Sequence, residues 1–258
     1  MYTEISQTLT DRDITDLISG EILAIRIADF CSIEARNVIK SRVRDRQQTR
    51  YEVAPDIRKI GIAFFETTNP IMLQKYYNHS NQASEIAETI YQGYTDPIEK
   101  LVTTLSLVWQ SGCEVERIHD REMYAGLIRV IDEGVELRPH QDNTNWDSPD
   151  CQRAQSLLTQ LSANVYFETP DKGGCLELWD FGIEDQDHYQ SIQREGDYAL
   201  SREAIGEPAL SIQPQGGDLI IFNARRIHGV TKVEVGARIN ASTFIAIRDL
   251  NQPLTVFS

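Results

Sequence analysis

His140 and Asp142 stand two residues apart at the end of a segment, residues 135–142, whose alternation predicts a strand. Side chains at i and i+2 of a strand share a face, so an imidazole and a carboxylate converge there. A third donor, His228, follows the run Gly216-Gly217-Asp218-Leu219-Ile220-Ile221-Phe222-Asn223, which predicts a glycine turn and a buried strand. Two imidazoles and one carboxylate on one face of an octahedron suit iron(II) and leave three positions open for a co-substrate and O2. Zinc accepts the same ligand types, and a lone H-x-D triplet is as easily a surface His beside a solvated Asp.

Arg238 shifts the balance towards iron. It follows His228 by ten residues across a turn at Val235-Gly236, and in a hairpin it would pair near Val233. Five strand positions span roughly 16 Å, comparable to a metal bond, an extended five-carbon diacid and an Arg side chain end to end. The guanidinium would then grip the distal carboxylate while a 2-oxo acid chelates the metal. An Arg in a surface ion pair is the competing reading.

Several elements must hold these groups. Residues 21–30 predict a strand and Ser32 caps a helix running to about Val43. From Pro70 to Trp109, Ile71, Leu73, Tyr76, Tyr77, Ile86, Ile90, Ile98, Leu101, Leu105 and Val108 recur at helical spacing, with a break at residues 93–97. After Met123 the pattern changes to short strands at 125–132, 135–142, 162–168, 174–180, 209–213, 217–222, 227–234 and 237–247, punctuated by glycines. The expectation is an α+β fold: a jelly-roll barrel at 123–258 buttressed by a mainly helical part at 1–122, together one domain. Residues 143–161 should contain a short helix at 151–161. The polar, acidic insertion at 181–208 has the length of a lid or binding loop.

The formal charge of -14 opposes binding to nucleic acid or an anionic membrane. An apolar fraction of 41% argues against wholesale disorder. Cys31, Cys113, Cys151 and Cys175 form no C-x-x-C pair, so reduced thiols are expected. With no signal peptide or membrane-length apolar stretch, the expected setting is cytoplasmic and the expected partner is a small-molecule substrate.

The ordered set of H-x-D, a distant His and an Arg ten residues later, with strands such as Gly173-Gly174-Cys175-Leu176-Glu177-Leu178-Trp179 between them, resembles the Fe(II)/2-oxoglutarate-dependent dioxygenases and their double-stranded β-helix, a cupin-like barrel, over residues 123–248. A likeness over most of the chain, carried by the opening strand and helix, the helices at 86–105 around Tyr91-Gln92-Gly93, and Leu127-Ile128-Arg129-Val130, is similar to the free-standing cyanobacterial indole-alkaloid halogenases. Those carry Gly where this sequence has Asp142, a departure that favours hydroxylation or desaturation. The resemblance implies that 2-oxoglutarate is oxidatively decarboxylated to succinate and CO2 while an unactivated substrate carbon is oxidised. An amino acid, an alkaloid or another natural-product intermediate would suit.

Other residues divide between function and packing. Arg129 and Asn164 lie on strands whose alternate side chains should face the barrel and are candidates for binding the oxo acid; Tyr166 shares that pattern but suits packing. Trp179 and Phe181, after the Gly-Gly strand, are candidate substrate contacts. His79, His119 and His188 show no metal spacing. A metal-dependent hydrolase or isomerase on a related barrel would have no use for Arg238, and a non-catalytic binding barrel would need no open metal site.

Overall fold

A computed structural model describes residues 4–6, 8–66, 70–118 and 120–258. The first half supplies strands β1 (Glu4–Ser6), β2 (Ala24–Ile27), β3 (Thr49–Arg50), β4 (Arg58–Ile60) and β5 (Cys113–Val115), with helices α1 (Asp11–Ser19), α2 (Ile33–Arg44), α3 (Pro70–Tyr91) and α4 (Pro97–Val108). Their ends follow from local chemistry. The Ser32 hydroxyl accepts from the Ala35 amide to start α2, and Asp96 caps α4 with Pro97 in its first turn.

The hairpin β6 (Arg117–Ile118) and β7 (Arg121–Glu122) leads into β8 (Leu127–Ile131), β9 (Leu137–His140), β10 (Thr159–Glu168), β11 (Lys172–Gly173), β12 (Leu176–Leu178), β13 (Leu210–Ile212), β14 (Leu219–Asn223), β15 (His228–Val230), β16 (Val233–Val235), β17 (Arg238–Ile247) and β18 (Leu254–Phe257). Short helices α5 (Thr144–Asp147), α6 (Gln152–Gln155), α7 (Gln186–Ser191) and α8 (Arg202–Ile205) lie between them.

Beside two small ladders, β11 with β16 and β6 with β7, two sheets enclose the cavity. The larger runs β1-β2-β14-β10-β17-β8-β4-β3, with β18 on β17 and β5 on β18; the smaller runs β13-β12-β15-β9. Period-two alternation separates two interiors. Leu161, Ala163, Val165 and Phe167 of β10 and Ile239, Ala241, Ile245 and Ile247 of β17 pack with Ile39 and Val43 of α2 and Leu101 and Leu105 of α4. Each such buried aliphatic group contributes roughly 1.5–3 kcal/mol. The alternate residues Ser162, Asn164, Arg238 and Asn240 line a cavity between the sheets.

The jelly roll and its helical layer match the expected architecture, with local corrections. The helix expected at 151–161 is confined to Gln152–Gln155, because Thr159 already begins β10. Ile71, expected to be buried, is exposed. The first half does more than buttress, since β2 and β4 hydrogen-bond directly into the large sheet beside β14 and β8.

Candidate metal centre

The antiparallel pairing of β9 with β15 sets His140 opposite His228 and brings the rings to 4.4 Å between centroids. The chain leaves β9 after His140, and the Asp142 amide bonds the Ala224 carbonyl at 2.9 Å. This turn returns the carboxylate towards the rings: Asp142 Oδ2 is 3.3 Å from His228 Nε2 and Oδ1 is 3.9 Å from His140 Nε2. One donor atom from each residue lies within 4.8 Å of the others.

The two histidines are oriented alike. His140 Nδ1 is 2.7 Å from the Arg138 carbonyl and His228 Nδ1 is 2.9 Å from the Arg226 carbonyl, so Nδ1–H donates backwards and Nε2 is turned towards the centre. Burial, reinforced by the neighbouring His228, lowers the His140 pKa to about 4, so its ring is neutral and available for coordination. Burial alone would raise Asp142. The hydrogen bond from His228 and the fields of His140, His228 and Arg129 outweigh it and hold the acid at about 2. An ionised carboxylate facing the neutral His140 ring and the His228 ring is a ready divalent-metal donor set.

The same cavity, of about 260 Å³, contains Arg129, Asn164 and Arg238. Arg238 is 3% exposed and donates to the Gly174 carbonyl at 3.3 Å and the Tyr166 hydroxyl at 3.0 Å. Its Nε has no partner, and burial lowers its pKa. A buried guanidinium without a carboxylate partner among the described residues calls for an anionic ligand. The expected hairpin route to this position is incorrect. Arg238 pairs with Ile131 of β8, and Val233 pairs with Gly173. The turn after β16 carries the chain from the small-sheet side to the large sheet, so Arg238 faces the cavity across it.

Arg129 donates from Nε to the Tyr51 hydroxyl at 2.8 Å, and Asn164 accepts from Asn240 Nδ2 at 3.0 Å. Tyr166 is packed in the core beneath Arg238, its hydroxyl accepting from it. Trp179 and Phe181 do not line the cavity. Trp179 is 1% exposed, packs with Ile183, Leu200 and Ile205, and donates from Nε1 to the Gly206 carbonyl, whereas Phe181 lies on the surface. The expectation for both fails on one point: strand position alone does not say which side of the small sheet is the cavity. His119 lies outside the described residues.

Sequence reasoning missed Tyr51, Trp146, Asp147, Tyr189, Tyr198 and Asn240, all of which line the cavity. Trp146 and Asp147 follow the H-x-D segment closely, and Asn240 is two residues beyond Arg238 on the same face. Those offsets were readable; nothing local marked the other three.

A solved N-substituted L-amino acid dioxygenase from Burkholderia ambifaria shares this fold, with a TM-score of 0.63, 17% identity and coverage of 97% of this chain and 92% of that one. Fold and site define the class of iron(II)- and 2-oxoglutarate-dependent oxygenases. Residues 3–258 match the family described as carrier-protein-independent halogenase WelO5, and the chain belongs to that family. It is also similar to the L-gamma-glutamyl-L-propargylglycine hydroxylase of Streptantibioticus cattleyicolor, 22% identical over 237 residues covering 89% of this chain and 85% of the relative. The L-isoleucine 3(1)-dioxygenase of Pantoea ananatis is 34% identical over 128 residues, 47% of this chain and 43% of the relative.

Proposed function

We propose that His140, Asp142 and His228 hold iron(II), that Arg238, helped by Arg129 and Asn164, receives 2-oxoglutarate, and that the enzyme uses O2 to hydroxylate or desaturate an unactivated carbon of a free small molecule of the amino-acid class. The observation that carries this reading is the juxtaposition, in one cavity, of three metal-donor side chains and a buried, carboxylate-free guanidinium. A hydrolase needs no second anion site beside its metal. The amino-acid class is supported by the substrates named for the two hydroxylating relatives.

Bound together, iron and 2-oxoglutarate would supply the oxidising power, with succinate and CO2 as co-products. The chain's own groups bind and orient. The two carbonyls behind His140 and His228 keep Nε2 pointing inwards. Tyr166 and Gly174 fix the Arg238 fork, and Tyr51 fixes Arg129. The aromatic lining restricts water.

No helix among the described residues is long and apolar enough to cross a membrane, and the four cysteines are free; both support a cytoplasmic setting. The contribution of both halves to one sheet and one cavity supports a single domain.

The test is anaerobic addition of iron(II) and 2-oxoglutarate, followed in air by succinate measurement with a panel of free amino acids. A visible metal-to-ligand charge-transfer band and succinate formation stimulated by one of the amino acids are expected. Absence of the band in the iron-loaded protein rejects the assignment.

A further inference from the structure

The groups assigned so far account for the metal and the co-substrate, but none selects the substrate. The cavity mouth has its own construction. Trp146 and Asp147 lie on α5, just beyond Asp142, and Tyr189 and Tyr198 come from the 181–208 insertion. Both tyrosine hydroxyls are tied to the backbone of the metal-bearing segment: Tyr189 accepts from the Gln141 amide at 3.3 Å and Tyr198 from the Arg138 amide at 3.1 Å. With the hydroxyl oxygens held by these amides, both rings are fixed against the cavity. Trp146 and Tyr189 meet edge to face at 5.3 Å, and Tyr198 stands edge-on to His140 at 5.6 Å.

Asp147 is the acid among these rings. It lies exposed at the end of α5, no cationic side chain among the described residues pairs with it, and partial desolvation beside the rings together with the Asp142 charge raises its pKa. Aromatic faces and an unpaired carboxylate attract the same kind of group, a cation. They repel a second carboxylate, which Arg129 and Arg238 would draw deeper into the cavity.

We propose that Asp147 and the ring faces of Trp146, Tyr189 and Tyr198 receive a protonated amine of the substrate at the cavity mouth, making Asp147 a specificity-determining residue for ammonium-bearing substrates. The inference rests on the oxygenase reading above. It predicts that the enzyme separates an amino acid from the 2-hydroxy acid of the same skeleton, in which a neutral hydroxyl replaces the ammonium.

The experiment compares kcat/KM for succinate formation with free L-amino acids and with their matched 2-hydroxy acids, in the wild type, Asp147→Asn, Tyr189→Phe and Tyr189→Leu. The wild type should prefer the amine at least tenfold. In Asp147→Asn this ratio should collapse towards one, mainly through KM for the amine, while the 2-oxoglutarate concentration that half-develops the anaerobic band stays the same. Tyr189→Phe should keep the preference, and Tyr189→Leu should weaken it. The inference is overturned if Asp147→Asn keeps the ratio, if the band titration shifts with it, or if no free amine stimulates the wild type. Failure of the band in the wild type would instead remove the oxygenase reading on which the inference stands.

Discussion

At the scale of single residues, the site separates groups that bind charge from groups that orient them. Among the described residues Arg238 has no anion to neutralise it, so its removal should be felt first by 2-oxoglutarate. Loss of a buried charged partner costs about 3–5 kcal/mol, and Arg238→Ala should raise the half-saturating 2-oxoglutarate concentration by roughly two orders of magnitude or more. An unchanged titration would reject this role. Tyr51 acts one step back: Tyr51→Phe deletes only the acceptor of the Arg129 Nε–H and should raise the same requirement several-fold, by roughly 1 kcal/mol. On the proposed metal site, Asp142 would determine the outcome of the reaction. Its carboxylate would take the position that the halogenase pattern leaves to chloride, and its ionised state disfavours a second anion there. The wild type should give oxygenated or desaturated product even in saturating chloride, as read by product mass. A chlorinated product would overturn the assignment, and Asp142→Gly should abolish hydroxylation.

At the scale of elements, the 181–208 insertion is docked on the segment that carries His140 and Asp142. The Gln141 amide exchanges two hydrogen bonds with the Ile183 backbone, at 2.7 and 2.8 Å. The Leu200 amide donates to the Pro139 carbonyl, and Arg138 pairs with Asp197. The residue between His140 and Asp142 therefore clips down the segment that supplies Tyr189 and Tyr198. If this segment closes over substrate, saturation with an authentic substrate should slow amide exchange at 181–208, and Gln141→Ala should reduce that protection. Equal exchange with and without substrate would make it a static wall. Asp96 gives a separate test. Burial raises its acid to about 6, although the Ile98 and Glu99 amides oppose the shift. A folded-state pKa above the unfolded value of about 3.9 means that the native state holds the extra proton, so this residue's contribution to stability declines as pH rises from about 4 through 6. Asp96→Asn keeps a capping oxygen, so its stability relative to the wild type should improve over that window. A flat difference would refute it.

At the scale of the molecule, the C-terminal strand is tied to the rest by Glu116. This fully buried carboxylate receives Arg153 at 2.6 Å, Arg248 at 2.7 Å and the Thr255 hydroxyl, joining α6, the end of β17 and β18. Burial would raise its pKa, but Thr255 and the two arginines more than offset this and lower it. A depressed native pKa contributes stability that is present above the unfolded value, about 4.3, and is lost as pH falls through the native one. Glu116→Ala should therefore cost about 3–5 kcal/mol at pH 7 and progressively less as pH falls below the unfolded value of about 4.3, measured by denaturant unfolding.

The local order of the chain determined the class of chemistry. His140 and Asp142, His228 and Arg238 are legible because strand alternation, turn glycines and ligand chemistry act over a few contiguous residues, and the apolar periods that separate helices from strands are equally local. Which residues meet across the barrel was decided only in three dimensions. Arg238 reaches the cavity by a crossover between sheets rather than the expected hairpin. Tyr51 arrives from beyond β3, at the edge of the large sheet, and Trp179 turns into a core beneath the insertion instead of facing substrate. The physical reason is that alternation says which residues share a face, while only the packing of one sheet against the other, and of the insertion against both, says what that face looks onto.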